Sequence, residues 1–209
     1  MLRIKICGLT TPQDAQAAIE LGADALGFNF FNGSKRYLPV AEAGRWIGQL
    51  PGEVEKIAIL VDPEFEAAKA VARVPGVDAI QLHGSESPEF CRRLKDEGIR
   101  FEKAIPVTSP ELLQSAPQFF TRTVLLDSVS AGEFGGSGRS FPWELARDFV
   151  QANPDLRVTL AGGLNPHNVA RAIQMVRPFG VDVTTGVESS PGHKDLGLLG
   201  AFISAARGA

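Results

Sequence analysis

The chain has 209 residues, 44% of them hydrophobic and 22% charged, which suits one globular domain with a full core. A net charge of −3 without a basic run argues against nucleic acid as a partner. No run of about 18 apolar residues is present to span a membrane, and the first residues enter a strand pattern at once, so we expect neither a membrane anchor nor a signal peptide.

Residues 3–7 alternate polar and apolar and read as a first strand that ends on Cys7. Gly8 breaks it, and Thr11-Pro12 reads as a helix start, a hydroxyl cap followed by proline at the first helical position. A second strand pattern covers 25–30. The runs at 57–61, 79–82 and 101–105 are followed by further cap-proline pairs, Asp62-Pro63, Ser87-Pro88 and Ser109-Pro110. The run at 123–126 leads into a glycine-rich loop at 132–138. The run at 158–161 precedes Asn165-Pro166 and a helical face of Val169, Ala172, Ile173 and Val176. A last strand pattern covers 181–184.

Strand-like runs thus alternate with helical segments from one end of the chain to the other. The runs are nearly all apolar, as in a parallel sheet covered on both faces. The expected fold is α/β, a single-domain (β/α)8 barrel over residues 1–209. An open doubly wound sheet is the alternative. It would carry a GxGxxG turn after the first strand, and Gly8-Leu9-Thr10 is not one.

In such a barrel the chemistry sits at the C-terminal ends of the strands. Read in order, those ends offer Cys7, Arg36, Gln81 and His83, Asp127, Gly162 and Gly163, and then Asp182 with Thr185-Gly186-Val187. Cys7 is either an inert buried thiol or a reactive one. Asp127 either caps a turn or forms an acid and base pair with Cys7 across the mouth. Arg36 is either a solvated loop charge or a two-point grip on a carboxylate or phosphate. His83 is either structural or a substrate contact. Gly162-Gly163 and Gly186-Val187 occupy the loops from which barrels build phosphate sites, and Gly136 belongs to a loop that either closes over a ligand or is plain linker. Cys7 and Cys91 form no CxxC pair, which points to a reduced, cytoplasmic setting, and no zinc-ligand spacing links them to His83, His167 and His193.

Several stretches together resemble the phosphoribosylanthranilate isomerase family of tryptophan biosynthesis. They are KICGLT at 5–10, GFNFFNGSKRYL at 27–38, QLHG at 81–84, LLDS at 125–128, GGSGRSFPW at 135–143, LAGGLNPHNV at 160–169 and GVDVTTGVESSPGHKD at 180–195. The resemblance implies an Amadori rearrangement of N-(5′-phosphoribosyl)anthranilate to the 1-amino-1-deoxyribulose 5-phosphate. It implies a base at Cys7, an acid at Asp127 and a carboxylate contact at Arg36, with Lys35 where the family usually has proline. Such an acid must be protonated at neutral pH, and such a thiolate is helped by a cationic neighbourhood. The iminium intermediate serves as electron sink, so neither metal nor organic cofactor is implied. The partner implied is the phosphoribosyl substrate, taken by a monomer or homodimer.

Three other readings compete. The analogous isomerase of histidine biosynthesis resembles a two-aspartate design, against which Cys7 stands. A non-catalytic phosphosugar-binding barrel needs the glycine loops but neither Cys7 nor Asp127. A thiol-redox protein lacks a nearby resolving cysteine.

Overall fold

The structure is a computed structural model that describes residues 2–107, 113–128 and 142–209. Eight parallel strands follow one another round a closed barrel: β1 (Arg3–Ile6), β2 (Ala25–Asn29), β3 (Glu55–Leu60), β4 (Ala79–Leu82), β5 (Phe101–Pro106), β6 (Thr123–Asp127), β7 (Arg157–Leu160) and β8 (Gly180–Val183). The last strand pairs with the first, Arg3 with Gly180 through Ile6 with Val183, which closes the ring and excludes the open sheet. Gly180 is required at this seam, because a Cβ there would sit 2.7 Å from the carbonyl oxygen of Arg3.

The helices are α1 (Pro12–Glu20), α2 (Val40–Ala43), α3 (Phe65–Ala72), α4 (Pro88–Asp96), α5 (Trp143–Ala152), α6 (Val169–Val176) and α7 (Leu196–Arg207). Among the described residues, none is long and apolar enough to cross a membrane. Two of the cap-proline starts are as the sequence suggests. Thr11 accepts from the Asp14 N–H at 3.2 Å and Ser87 from the Phe90 N–H at 3.2 Å, each cap contributing about 1 kcal/mol.

Two others differ. Asp62 adopts a left-handed φ of 44° and accepts from the Ser85 N–H at 2.6 Å, so α3 begins only at Phe65. Asn165 accepts from the His167 N–H at 2.9 Å in a turn, and α6 begins at Val169. In both cases the side chain serves a loop rather than a helix end. Ser109-Pro110 and the 132–138 loop lie outside the described residues. A short hairpin after β8, β9 (Glu188–Ser190) and β10 (His193–Lys194), had no strand-like run to announce it.

Successive strand residues point to opposite faces of the sheet. Ile4, Ile6, Phe28, Leu82, Leu126 and Val183 face outward and join helix residues such as Ala15, Leu94, Ala172 and Phe202 in one apolar cluster. Ala104, Leu125 and Ala161 form a separate small cluster inside the barrel. The same interior holds a charged group, the ammonium of Lys5, which is fully buried. Its Nζ donates to Gln81 Oε1 at 2.7 Å and Asp182 Oδ1 at 3.1 Å, with Glu102 Oε1 at 3.9 Å. Burial opposes that charge, but Asp182, Cys7 and Glu102 outweigh it and hold the Lys5 pKa above the ordinary lysine range.

Replacing Lys5 by Met leaves Asp182 buried without its cation and Glu102 with Arg3 alone, at 3.7 Å. We expect a loss of about 3–5 kcal/mol, read from the midpoint of urea unfolding. A loss below about 1 kcal/mol, the scale of an exposed pair, would show that the barrel interior does not depend on this ammonium.

Candidate active site

The C-terminal ends of the strands open into a cavity of about 540 Å³. Cys7, Arg36, His83, Asp127, Gly162, Gly163 and Asp182 all line it, together with Gly8, Asn29, Lys35, Thr184 and Thr185. Gly186 and Val187 are not among the residues that line it. The Cα of Gly186 packs against the Leu164 carbonyl oxygen, into which a Cβ would run. Val187 is fully buried, and its N–H donates to the Thr184 carbonyl at 3.4 Å. Gly136 lies outside the described residues.

Cys7 follows β1 on the same strand face as Arg3 and Lys5, which aims it at the mouth. Room for it is made on the neighbouring strand, since a Cβ on Gly27 would come within 2.7 Å of the Cys7 Sγ. Burial pushes the Cys7 thiol up, and Asp182 adds to this, while Lys5 and Lys194 pull it down. The cationic neighbours expected of a reactive thiol are therefore present, but burial outweighs them.

Asp127 ends β6, across the barrel from Cys7. It is 6% exposed. Its Oδ1 accepts from the Ser128 N–H at 2.7 Å, and its Oδ2 lies 3.2 Å from His83 Nε2. The other ring nitrogen, His83 Nδ1, lies 2.7 Å from Gln81 Nε2. His83 is thus held between Gln81 and Asp127, at the edge of the cavity.

Arg36 reaches the cavity from the loop after β2, where the Ser34 hydroxyl accepts its backbone N–H at 3.1 Å. Glu188 grips it through Nε at 2.8 Å and Nη2 at 2.6 Å. Lys194 shares the same carboxylate at 3.0 Å and donates to the Cys7 carbonyl at 2.6 Å. Burial works against the Glu188 charge, but Arg36 and Lys194 outweigh it and hold that carboxyl below the usual range. The hairpin of β9 and β10 exists in this position to present Glu188 and Lys194, and its turn is tied down by the Thr10 hydroxyl, which donates to the Gly192 carbonyl at 2.7 Å.

Strand-end reasoning did not single out Lys5, Glu188 or Lys194, and it named Gln81 without giving it a part. For Lys5 a signal existed. The alternation in β1 puts Arg3, Lys5 and Cys7 on one face and Ile4 and Ile6 on the other, so the charges share the interior with the thiol. For Glu188 and Lys194 no periodicity exists, because the cations and carboxylate meet through a hairpin and a loop 152 residues away.

The profile of the N-(5′-phosphoribosyl)anthranilate (PRA) isomerase family matches residues 4–205. An N-(5′-phosphoribosyl)anthranilate isomerase of Geobacter sp. (strain M21) is 44% identical over 207 residues, covering 99% of this chain and 98% of that protein. The crystal structure of phosphoribosyl anthranilate isomerase from Thermotoga maritima superposes with a TM-score of 0.91 at 41% identity, with both chains covered completely. A phosphoribosyl anthranilate isomerase solved in complex with reduced 1-(o-carboxyphenylamino)-1-deoxyribulose 5-phosphate superposes with a TM-score of 0.87 at 38% identity, again over the whole of both chains. On its fold, its strand-end residues and these likenesses, the chain belongs to the phosphoribosylanthranilate isomerase family.

Proposed function

We propose that this protein converts N-(5′-phosphoribosyl)anthranilate into 1-(2-carboxyphenylamino)-1-deoxy-D-ribulose 5-phosphate, a step of tryptophan biosynthesis. The observation that carries the reading is the single cavity into which a thiol from β1 and a carboxyl from β6 both face. It is a setting for proton transfer on two sides of one small molecule.

The substrate's phosphate belongs, in our reading, at the turns after β7 and β8. Gly162 and Gly163 take left-handed φ values of 81° and 65°, which glycine adopts without strain and which lead the backbone along the cavity. Thr185 lines the opposite side. Gly186 contributes by allowing that loop to close on Leu164, and Val187 by anchoring it from the core. The substrate carboxylate meets the Nη1 side of Arg36, the edge that Glu188 leaves open. Asp182, fixed by Lys5, faces the sugar. His83, tied to Gln81 and Asp127, serves the acid rather than the substrate.

Asp127 gives its proton to the furanose ring oxygen, the C1′–oxygen bond breaks, and the anilino nitrogen becomes an iminium. The Cys7 thiolate then takes the C2′ proton, and the freed electron pair flows into the iminium to give an enolamine. That species tautomerises to the 2′-ketone. Burial pushes the Cys7 thiol up, and the positive charge of the iminium favours its thiolate when a base is required. Since the substrate supplies its own electron sink, the reaction calls for no added cofactor. We assign the enzyme to the cytoplasm, where free Cys7 and Cys91 stay reduced, as a monomer or homodimer.

Freshly made phosphoribosylanthranilate should disappear in a fluorescence assay with wild-type protein. Cys7→Ala and Asp127→Asn should each lower kcat by about 10²–10⁴-fold. Full turnover by either variant would remove that residue from the chemistry, and no turnover by wild type with tight binding of a product analogue would indicate a non-catalytic barrel.

A raised thiol pKa also fixes the sign of a pH effect, because only the thiolate is alkylated. Iodoacetamide labelling of Cys7, followed by peptide mass spectrometry, should still be accelerating above the ordinary thiol pKa of about 8.5. A plateau below pH of about 8 would mean that Lys5 and Lys194 win over burial.

A further inference from the structure

Behind Asp127 runs a chain of polar contacts that the proposed chemistry does not use. It starts at Lys5 Nζ, passes through the Gln81 amide and the His83 ring, and ends on the Asp127 carboxyl. Its first link has one possible sense. An ammonium has three donors and no acceptor, so the Gln81 atom 2.7 Å from Lys5 Nζ must be the amide oxygen. The Gln81 NH2 group then faces His83 Nδ1 at 2.7 Å. An NH2 group only donates, so Nδ1 must accept, and the ring proton sits on Nε2. Nε2 lies 3.2 Å from Asp127 Oδ2, to which its N–H donates.

We propose that Lys5 and Gln81 are positioning residues that lock His83 in its Nε2–H form, so that this N–H stands ready to hold the Asp127 carboxylate as the acid gives its proton to the substrate. The inference rests on Asp127 being the acid of the reaction. With the proton on Nδ1 instead, Nε2 would turn a lone pair toward Asp127 Oδ2 at 3.2 Å and repel the carboxylate that forms. With the proton on Nε2 an N–H faces that oxygen. One lone pair on each carboxyl oxygen is filled by an N–H, from Ser128 on Oδ1 and from His83 on Oδ2. After Asp127 gives its proton to the ring oxygen, both N–H groups remain to hold the carboxylate that forms, at no reorganisation cost. Proton and charge balance within the pair of Asp127 and substrate, and His83 gains and loses nothing.

Lys5 suits the start of such a chain. It is fully buried, and Asp182 and Glu102 help to keep it charged, so its hydrogen-bonding sense does not reverse. The interior therefore sets the sense of every later link, from Lys5 on β1 to Gln81 and His83 on and just after β4 and then to Asp127 on β6.

The chain contains only three histidines, His83, His167 and His193, so the ring nitrogens can be read by long-range 1H–15N correlation in labelled protein without substrate. We expect His83 to show a protonated Nε2 and an unprotonated Nδ1. Gln81→Glu puts acceptor-only atoms in the place of the NH2 group, and it should move the proton of His83 to Nδ1. It should also lower kcat about 10–100-fold, the usual scale for a lost orienting partner, with KM changed less than about twofold. Gln81→Met, which adds no charge, should give mixed His83 forms and a smaller fall in kcat. A protonated Nδ1 in the wild type, or an unchanged His83 signature in a folded Gln81→Glu protein, would overturn the proposal. Because the ring signature is read without turnover, a failure of the lock is distinct from a failure of Asp127 as acid, which the Asp127→Asn assay reports.

Discussion

An ammonium group is not buried without partners, because removing it from water costs several kcal/mol unless carboxylates and hydrogen bonds replace the solvent. Lys5 is fully buried inside the barrel, and its partners come from three other strands: Gln81 on β4, Glu102 on β5 and Asp182 on β8. That requirement ties opposite sides of the barrel to one point. It also gives the layer above a fixed polarity. Asp182 enters the mouth already engaged from below by Lys5, and Gln81 presents its NH2 group to His83.

The mouth is shaped as much by what is absent from side chains as by what is present. Gly27 leaves space for the Cys7 sulfur, and Gly8 does the same for the Arg36 stem, since a Cβ there would lie 2.5 Å from Arg36 Cδ. The loop after β7 meets the Ser128 backbone, after β6, at Gly162, and the loop after β8 meets Leu164 at Gly186, with no methyl group between in either case. Around these spaces the charges are arranged in two sets. Lys5 with Asp182 and Glu102 lies below the cavity, and Arg36 with Glu188 and Lys194 lies at its rim. Cys7 sits between the sets and feels a lysine from each, yet burial outweighs both and pushes the thiol up.

Most of the architecture was legible in the sequence because eight apolar runs separated by helical segments admit few arrangements. Cys7, Arg36, His83, Asp127, Asp182, Gly162 and Gly163 line the cavity at the strand ends, because a strand end is located by where the apolar run stops. Gly186 and Val187 do not line the cavity, and a loop's position in sequence does not say which of its residues turn toward it. The helix starts at Asp62 and Asn165 were misplaced by two or three residues because short polar side chains cap loop turns as readily as helices. The contacts among Lys5, Gln81, His83 and Asp127 were beyond a one-dimensional reading altogether. They depend on the stagger between strands across a closed barrel, which is set by register and not by spacing within any one strand.

A crystal structure of this protein with reduced 1-(o-carboxyphenylamino)-1-deoxyribulose 5-phosphate tests most directly whether one molecule spans the cavity with its sugar between Cys7 and Asp127. We expect the phosphate against Gly163 and Thr185, the carboxylate on Arg36, the Cys7 sulfur facing C2′ and the Asp127 carboxyl facing the hydroxyl derived from the ring oxygen. A ligand bound with its phosphate toward Arg36, or with C2′ turned away from Cys7, would contradict it.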